Sequence, residues 1–304
     1  MEHKIPSYKS LEYVRDKTTV DILWKQLGTL QDVAEEYGIE NIFQDNGAEI
    51  LQQLVYLNMR AAPGREGNDG VDINGCEWEM KSIDISKNNS GITTNHHLNA
   101  DIIEKYKTVP WSISIYDRIH LKKIYVVGNK QLHEIFQEWE QLLQSKDTLN
   151  NPKIPLKTIE EKGFLVFDEK NDYPTDPMSV IDTKPYVPLQ EAYFDKIQKQ
   201  RKAKEATKAV QKARKALEKA KKKYEVAELD AKDKETAAKS SQPSNMKAAK
   251  RAASAARRKA NNSHQNVVNK DKEFKQACAV ETAAETEAKA ANAAFTTALK
   301  KFNL

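Results

Sequence analysis

From residue 194 to residue 304 the sequence contains no glycine and a single proline, Pro243. Glycine and proline are the residues that most readily end a helix, so a stretch of this length without them is committed to long helices. Its apolar positions repeat every seven residues. Ala203, Val210, Leu217, Tyr224 and Ala231 form one seam, and Ala206, Ala213, Ala220 and Ala227 lie beside it. After the break at Ser240-Ser241-Gln242-Pro243-Ser244 the step resumes with Met246, Ala253, Ala260, Val267 and Phe274, and later Ala288, Phe295 and Phe302. Ala249, Ala256, Ala277, Ala284, Ala291 and Ala298 take the second seam position, and Lys270 and Glu281 interrupt the pattern. A sustained seven-residue repeat is the mark of a coiled coil. The simplest arrangement is an all-α antiparallel coiled-coil hairpin whose arms are on the order of 70–85 Å long. Pairing between chains is the alternative. Alanine seams bury little area, which predicts a hairpin that is mobile or stabilised by a partner.

Charge divides the chain at the same place. Residues 195–304 hold 28 Lys and Arg against 13 Asp and Glu, a net +15. The rest is net −10, so the overall +5 conceals two opposite halves. A tail this basic can bind nucleic-acid phosphates in a salt-dependent way. It can equally be a solvated surface whose lysines keep it soluble. Two cysteines, Cys76 and Cys278, are too few for a disulfide framework and fit a reducing, cytoplasmic setting. A secretory segment and a membrane span are not expected. The sequence also has no glycine-rich phosphate loop, so dependence on a nucleoside triphosphate is not expected.

The chemistry-bearing part lies upstream. Gly64-Arg65-Glu66-Gly67-Asn68-Asp69-Gly70 is followed by Glu77-Trp78-Glu79-Met80-Lys81. If the second segment is a strand, Glu79 and Lys81 share one face and Trp78 and Met80 the other. Asp69, at the end of a preceding strand, can close a triangle with them. Two carboxylates can hold a hard divalent cation, and a lysine beside them can orient or deprotonate a water and offset charge on a phosphate. An ion pair on an exposed strand is the plainer explanation of Glu79 and Lys81 taken alone. His96-His97 is open to three readings: zinc, general base, or contact with base edges. Zinc is disfavoured because no Cys-x-x-Cys or second histidine pair accompanies it. Asn150-Asn151-Pro152 and Gln44-Asp45-Asn46-Gly47 read on their own as turns.

Helices are expected over 30–37, 48–58 and 132–143, and strands over 111–116, 123–127 and 164–167. Strands interleaved with helices predict an α/β fold, a mixed sheet flanked by helices. The organisation expected is a domain over 1–167, a proline-containing linker over 168–193, and the helical tail. Pro174, Pro177, Pro185 and Pro188 should keep the linker from forming a helix.

Several separated words carry a resemblance. They are Gly38-Ile39-Glu40-Asn41-Ile42-Phe43-Gln44-Asp45-Asn46-Gly47, Pro63-Gly64-Arg65-Glu66-Gly67-Asn68-Asp69, Glu79-Met80-Lys81-Ser82-Ile83, His96-His97-Leu98-Asn99, Lys105-Tyr106, Val109-Pro110-Trp111 and Asn150-Asn151-Pro152-Lys153-Ile154-Pro155. In order and spacing, residues 22–167 resemble the PvuII restriction endonuclease family. Nothing after Asp168 belongs to the resemblance. It implies a PD-(D/E)xK core, a homodimer formed through the nuclease domain, and Mg2+-dependent cutting of double-stranded DNA at CAGCTG with blunt ends. By position it implies Asp69 and Glu79 as metal ligands, Lys81 at the attacking water, and Glu66 and Tyr106 as supporting groups. It places Gln44 and Asp45 at the minor groove. His96, His97 and Asn151 would read the major groove, with Asn150 supporting them. A cognate DNA methyltransferase is the expected companion. The motif opens with Asn68 where the family favours a proline-like start, residues 86–94 depart from the pattern, and one residue is inserted between Lys81 and His96. Two other functions remain open: a catalytically weak DNA-binding protein tethered by its basic coiled coil, and a structural basic coiled coil.

Overall fold

A computed structural model describes residues 11–44, 46–62, 68–87, 89–171 and 174–302. The chain divides into two compact units, one of Met1–Tyr193 with Ala298–Leu304 and one of Phe194–Thr297.

The first unit is built on a six-stranded mixed sheet. Its strands are β1 (Arg60–Ala61), β2 (Gly70–Val71), β3 (Glu77–Asp84), β5 (Trp111–Asp117), β6 (His120–Val127) and β8 (Phe164–Asp168), in that spatial order. Among the described residues only the β3–β5 pair is parallel, with Glu79 opposite Trp111 and Lys81 opposite Ile113. A parallel pair needs a long crossover. Here the crossover carries β4 (Gly91–Thr93) and helix α3 (Ala100–Tyr106). β4 pairs with β7 (Lys153–Pro155) in a separate antiparallel ribbon. Helices α1 (Leu11–Glu36), α2 (Gly47–Leu57), α4 (Asn129–Leu143) and α5 (Leu156–Lys162) belong to the same unit. α1 extends the helix expected over 30–37 by 19 residues toward its N-terminus.

β3 has apolar partners on both faces. Trp78 and Met80 pack with Leu54, Leu57, Met59 and Val166. Ile83 packs with Tyr106, Trp111 and Ile113. The tight β2–β3 connection is organised by Asp72, whose carboxylate accepts from the backbone N–H of Asn74 (2.8 Å) and Cys76 (3.0 Å) and from Trp78 Nε1 (3.0 Å). Gly75 turns the chain there at φ +80°, a conformation that glycine adopts without strain.

The expectation that prolines would keep 168–193 free of helix is corrected by a helix that starts at Tyr186. Helix α6 spans Tyr186–Lys239, and Pro188 sits in its first turn. A first-turn N–H has no intrahelical partner, so proline costs little there. Pro177 likewise lies in a short 3-10 turn, Pro177–Ser179.

In the second unit, α6 continues as one arm and α7 (Met246–Lys301) provides the other. Lys196 lies over the Phe295 ring, Tyr224 meets His264, and Arg257 pairs with Glu228 and Glu235. Partner numbers fall on one arm as they rise on the other, so the arms are antiparallel. Ala227, Ala231, Ala256 and Ala260 close one tight stretch of the seam, and Leu217, Ala291 and Phe295 are buried in it.

Candidate active site

β3 positions the site by its alternation. Glu79 and Lys81 project from the face opposite Trp78 and Met80. Lys81 Nζ is 2.6 Å from Glu79 Oε1 and 4.0 Å from Asp69 Oδ2. Asp69 precedes β2 and is fixed to β3 twice: its N–H donates to Trp78 O (3.0 Å), and its Oδ2 accepts from Met80 N–H (2.8 Å). Glu79 N–H donates to Pro110 O at 3.0 Å. Asn68 is buried beside them and donates from Nδ2 to Glu77 Oε2 at 2.6 Å.

The electrostatics are those of two carboxylates around one ammonium. Burial, and then the Glu79 charge, push the Asp69 carboxyl above its ordinary value, with Lys81 pulling the other way. Burial acts to lower the Lys81 ammonium, but Glu79 and Asp69 outweigh it and hold it above its usual range. Tyr106 is buried against Trp111, with ring centroids 4.6 Å apart. Burial and the Glu79 charge raise its phenol, which therefore stays protonated and able to donate. Lys105, one residue earlier, adds a further positive charge in reach of Asp69. Among the described residues no three His, Cys, Asp or Glu side chains form a metal-binding group. The pair Asp69 and Glu79 is still a hard-oxygen donor set, and the mutual repulsion that raises Asp69 is what a divalent cation would relieve.

A second cluster forms around the β4–β7 ribbon. Thr94 donates to Pro152 O from N (3.3 Å) and Oγ1 (2.9 Å), and Leu98 pairs with Leu149 in both directions. These links clamp residues 95–97 opposite 150–151, so His96, His97, Asn150 and Asn151 share one end of the ribbon. Both histidines and Asn150 are exposed. Asn151 has φ 48°, and its buried Oδ1 has no hydrogen-bond partner among the described residues. Gln44 is exposed in the turn before α2. Glu66 and Asp45, both expected site residues, lie outside the described residues.

The family model for restriction endonuclease PvuII matches residues 15–167. The chain belongs to the PvuII restriction endonuclease family. It is a type II site-specific deoxyribonuclease whose substrate is DNA, of a superfamily generally dependent on divalent metal. The match begins seven residues before the quoted resemblance and takes in part of α1. No helix among the described residues is long and apolar enough to cross a membrane.

Sequence reasoning passed over the groups that hold β3 in place. Gln53 is buried, accepts from Ser112 Oγ (2.6 Å), and donates to Lys81 O (3.4 Å). The Ser82 hydroxyl donates to Glu49. Gln190, on α6, bonds to Glu77 and Thr108. A glutamine on the inward face of α2 was the one available signal for Gln53. Gln190 had none.

Proposed function

We propose that this PvuII family member is a Mg2+-dependent homodimer that cuts both strands of a palindrome, CAGCTG, leaving blunt ends. The observation that carries the reading is the convergence of Asp69, Glu79 and Lys81 on one face of β3. Asp69 and Glu79 would hold Mg2+, which when bound supplies positive charge at the scissile phosphate and acidifies water. Lys81, protonated beside Glu79, donates hydrogen bonds: it orients the attacking water and offsets charge on the phosphate. Tyr106 and Glu66 support these groups. His96, His97 and Asn151 read major-groove edges, where imidazole can donate to guanine and a carboxamide can pair two ways with adenine. Asn150 supports them, and Gln44 and Asp45 face the minor groove.

Dimerisation is supported by α1, which leaves Val20, Leu23, Trp24 and Leu30 exposed, Trp24 by 63%. A run of large apolar side chains on one helix is the kind of surface that a partner covers. A protective DNA methyltransferase is the expected companion, since unmodified sites would be cut.

The tail adds non-specific affinity for DNA. Between Lys247 and Lys270 there is no acidic residue. Lys247, Lys250, Arg251, Arg258 and Lys259 are exposed there, without an ion-pair partner among the described residues. Elsewhere the arms do use such pairs, as at Lys199–Asp195, Lys234–Asp230 and Lys275–Asp271.

The test is cutting and binding of plasmid DNA by the wild-type chain and by Lys81→Ala. Discrete fragments that need magnesium and vanish in Lys81→Ala, with binding retained, are expected. Binding without cutting by the wild-type chain would favour a tethered DNA-binding protein instead.

A further inference from the structure

The carboxamide of Gln190 lies against the strand that carries the site, although Gln190 is well beyond the last residue matched to the family. It is 4% exposed. Glu77 N–H donates to its Oε1 at 2.9 Å. Its Nε2 donates to Glu77 O (3.0 Å) and Thr108 O (3.1 Å) and approaches Cys76 Sγ (3.4 Å). Every other residue of a strand turns its peptide groups toward the same neighbour. On β3, Glu79 N–H meets Pro110 O on the β5 side. Glu77, two residues earlier, faces the same way, but β5 starts only at Trp111. Gln190 supplies the partner that is missing there. Its one side chain continues the β3–β5 ladder a step beyond its backbone end.

We propose that Gln190 is a positioning residue for the reaction. The first turns of the tail helix fix the entry of β3, and with it Glu79 and the Asp69 that hangs from Trp78 and Met80. The C-terminal extension is then part of what holds the carboxylate pair in place. This rests on the nuclease reading given above. Groups behind a metal ligand commonly change metal affinity or activity by about 10–100-fold when removed.

The experiment uses the full chain, Gln190→Met, and Tyr186→Phe as a control. Tyr186 lies one turn before Gln190 on α6, and its hydroxyl accepts from Asn129 N–H (3.1 Å) rather than bonding to Glu77. The readouts are the rise of Tm with added MgCl2, and kcat against KM for DNA cutting. Gln190→Met should need severalfold more magnesium for the same Tm rise. Its kcat should fall by about 10–100-fold with KM for DNA little changed. Tyr186→Phe should lower the metal-free Tm and leave the magnesium response alone. A wild-type magnesium response and kcat in Gln190→Met would overturn the proposal, and so would an equal loss in Tyr186→Phe. If Gln190→Met does not fold, amide exchange of the wild-type chain reads the same link. Magnesium should slow exchange at Glu77 together with Met80, and an unaffected Glu77 amide contradicts the proposal. A wild-type Tm indifferent to magnesium, seen before any variant is made, overturns the proposed magnesium site at Asp69 and Glu79 itself.

Discussion

Lys81 is held between two acceptors of like charge, and its removal should do more than delete a donor. Lys81→Ala should cut at least about 100-fold more slowly, the scale seen when one group that stabilises transition-state charge is lost. DNA binding should persist; full cutting by this variant would rule out the mechanism. Asp69 makes the opposite case. Burial and Glu79 oppose its charge, so the folded state is penalised as pH rises through its raised value. Asp69→Asn should therefore abolish cutting yet raise the metal-free Tm at neutral pH, and magnesium should no longer raise it further. An unchanged or lower Tm would count against that electrostatic picture. Asp84, at the end of β3, runs the other way. The Ser86 hydroxyl, and then the backbone N–H of Arg118, hold its carboxyl down at about 2. A lowered carboxyl stabilises the fold above its ordinary value of 3.8 and loses that contribution as pH falls toward about 2. The Tm deficit of Asp84→Asn should be present at pH 7 and shrink between these limits; a deficit independent of pH would contradict it. Glu79 and Lys81 were legible because strand alternation is a local rule. Gln190 was not, because its bonds to Glu77 and Thr108 span 113 and 82 positions and leave no local pattern.

At the scale of elements, β3 is the part on which the rest depends. Trp78 is fully buried, and its indole donates to Asp72. Trp78→Ala should cost about 3–5 kcal/mol, the usual range for emptying such a site. Urea unfolding measures this, and a loss below about 1 kcal/mol would show that β3 is not anchored as described. α1 has the converse problem of an uncovered face. Trp24 stacks on Phe43 with centroids 5.6 Å apart, yet both rings remain largely exposed. Trp24→Glu should shift the chain from dimer to monomer in sedimentation, and a monomeric wild-type chain would remove the basis for this expectation. Long elements were readable from periodicity, as α4 and the α6–α7 seam illustrate. β1, β4 and β7 are two or three residues long and too short to show a period. The start of α6 was hidden by prolines that a first turn tolerates.

Over the whole molecule, an acidic body carries a strongly basic hairpin. Counterion release predicts a steep salt dependence for any DNA that the hairpin meets. Changing Lys250, Arg251, Arg258 and Lys259 together to Gln should flatten the slope of log affinity against log salt. The change should be up to about 0.9 per side chain that meets a phosphate. An unchanged slope would leave those lysines and arginines a solvated face. Point changes are preferable to truncation at residue 194. Phe302 packs edge-on to Tyr186, with centroids 4.5 Å apart, inside the first unit. Removing the tail therefore also strips a side chain from the nuclease core. The division of charge was legible in composition, but this return of the C-terminus was not, since one phenylalanine at a seam position does not announce a second partner.

The most direct measurement is digestion of an unmethylated plasmid with and without magnesium, followed by sequencing of the fragment ends. Blunt ends at CAGCTG, formed only with magnesium, are predicted. Ends at another sequence would keep the nuclease and shift its specificity to the altered 86–95 segment, while no cleavage by a folded chain that binds DNA would contradict the account.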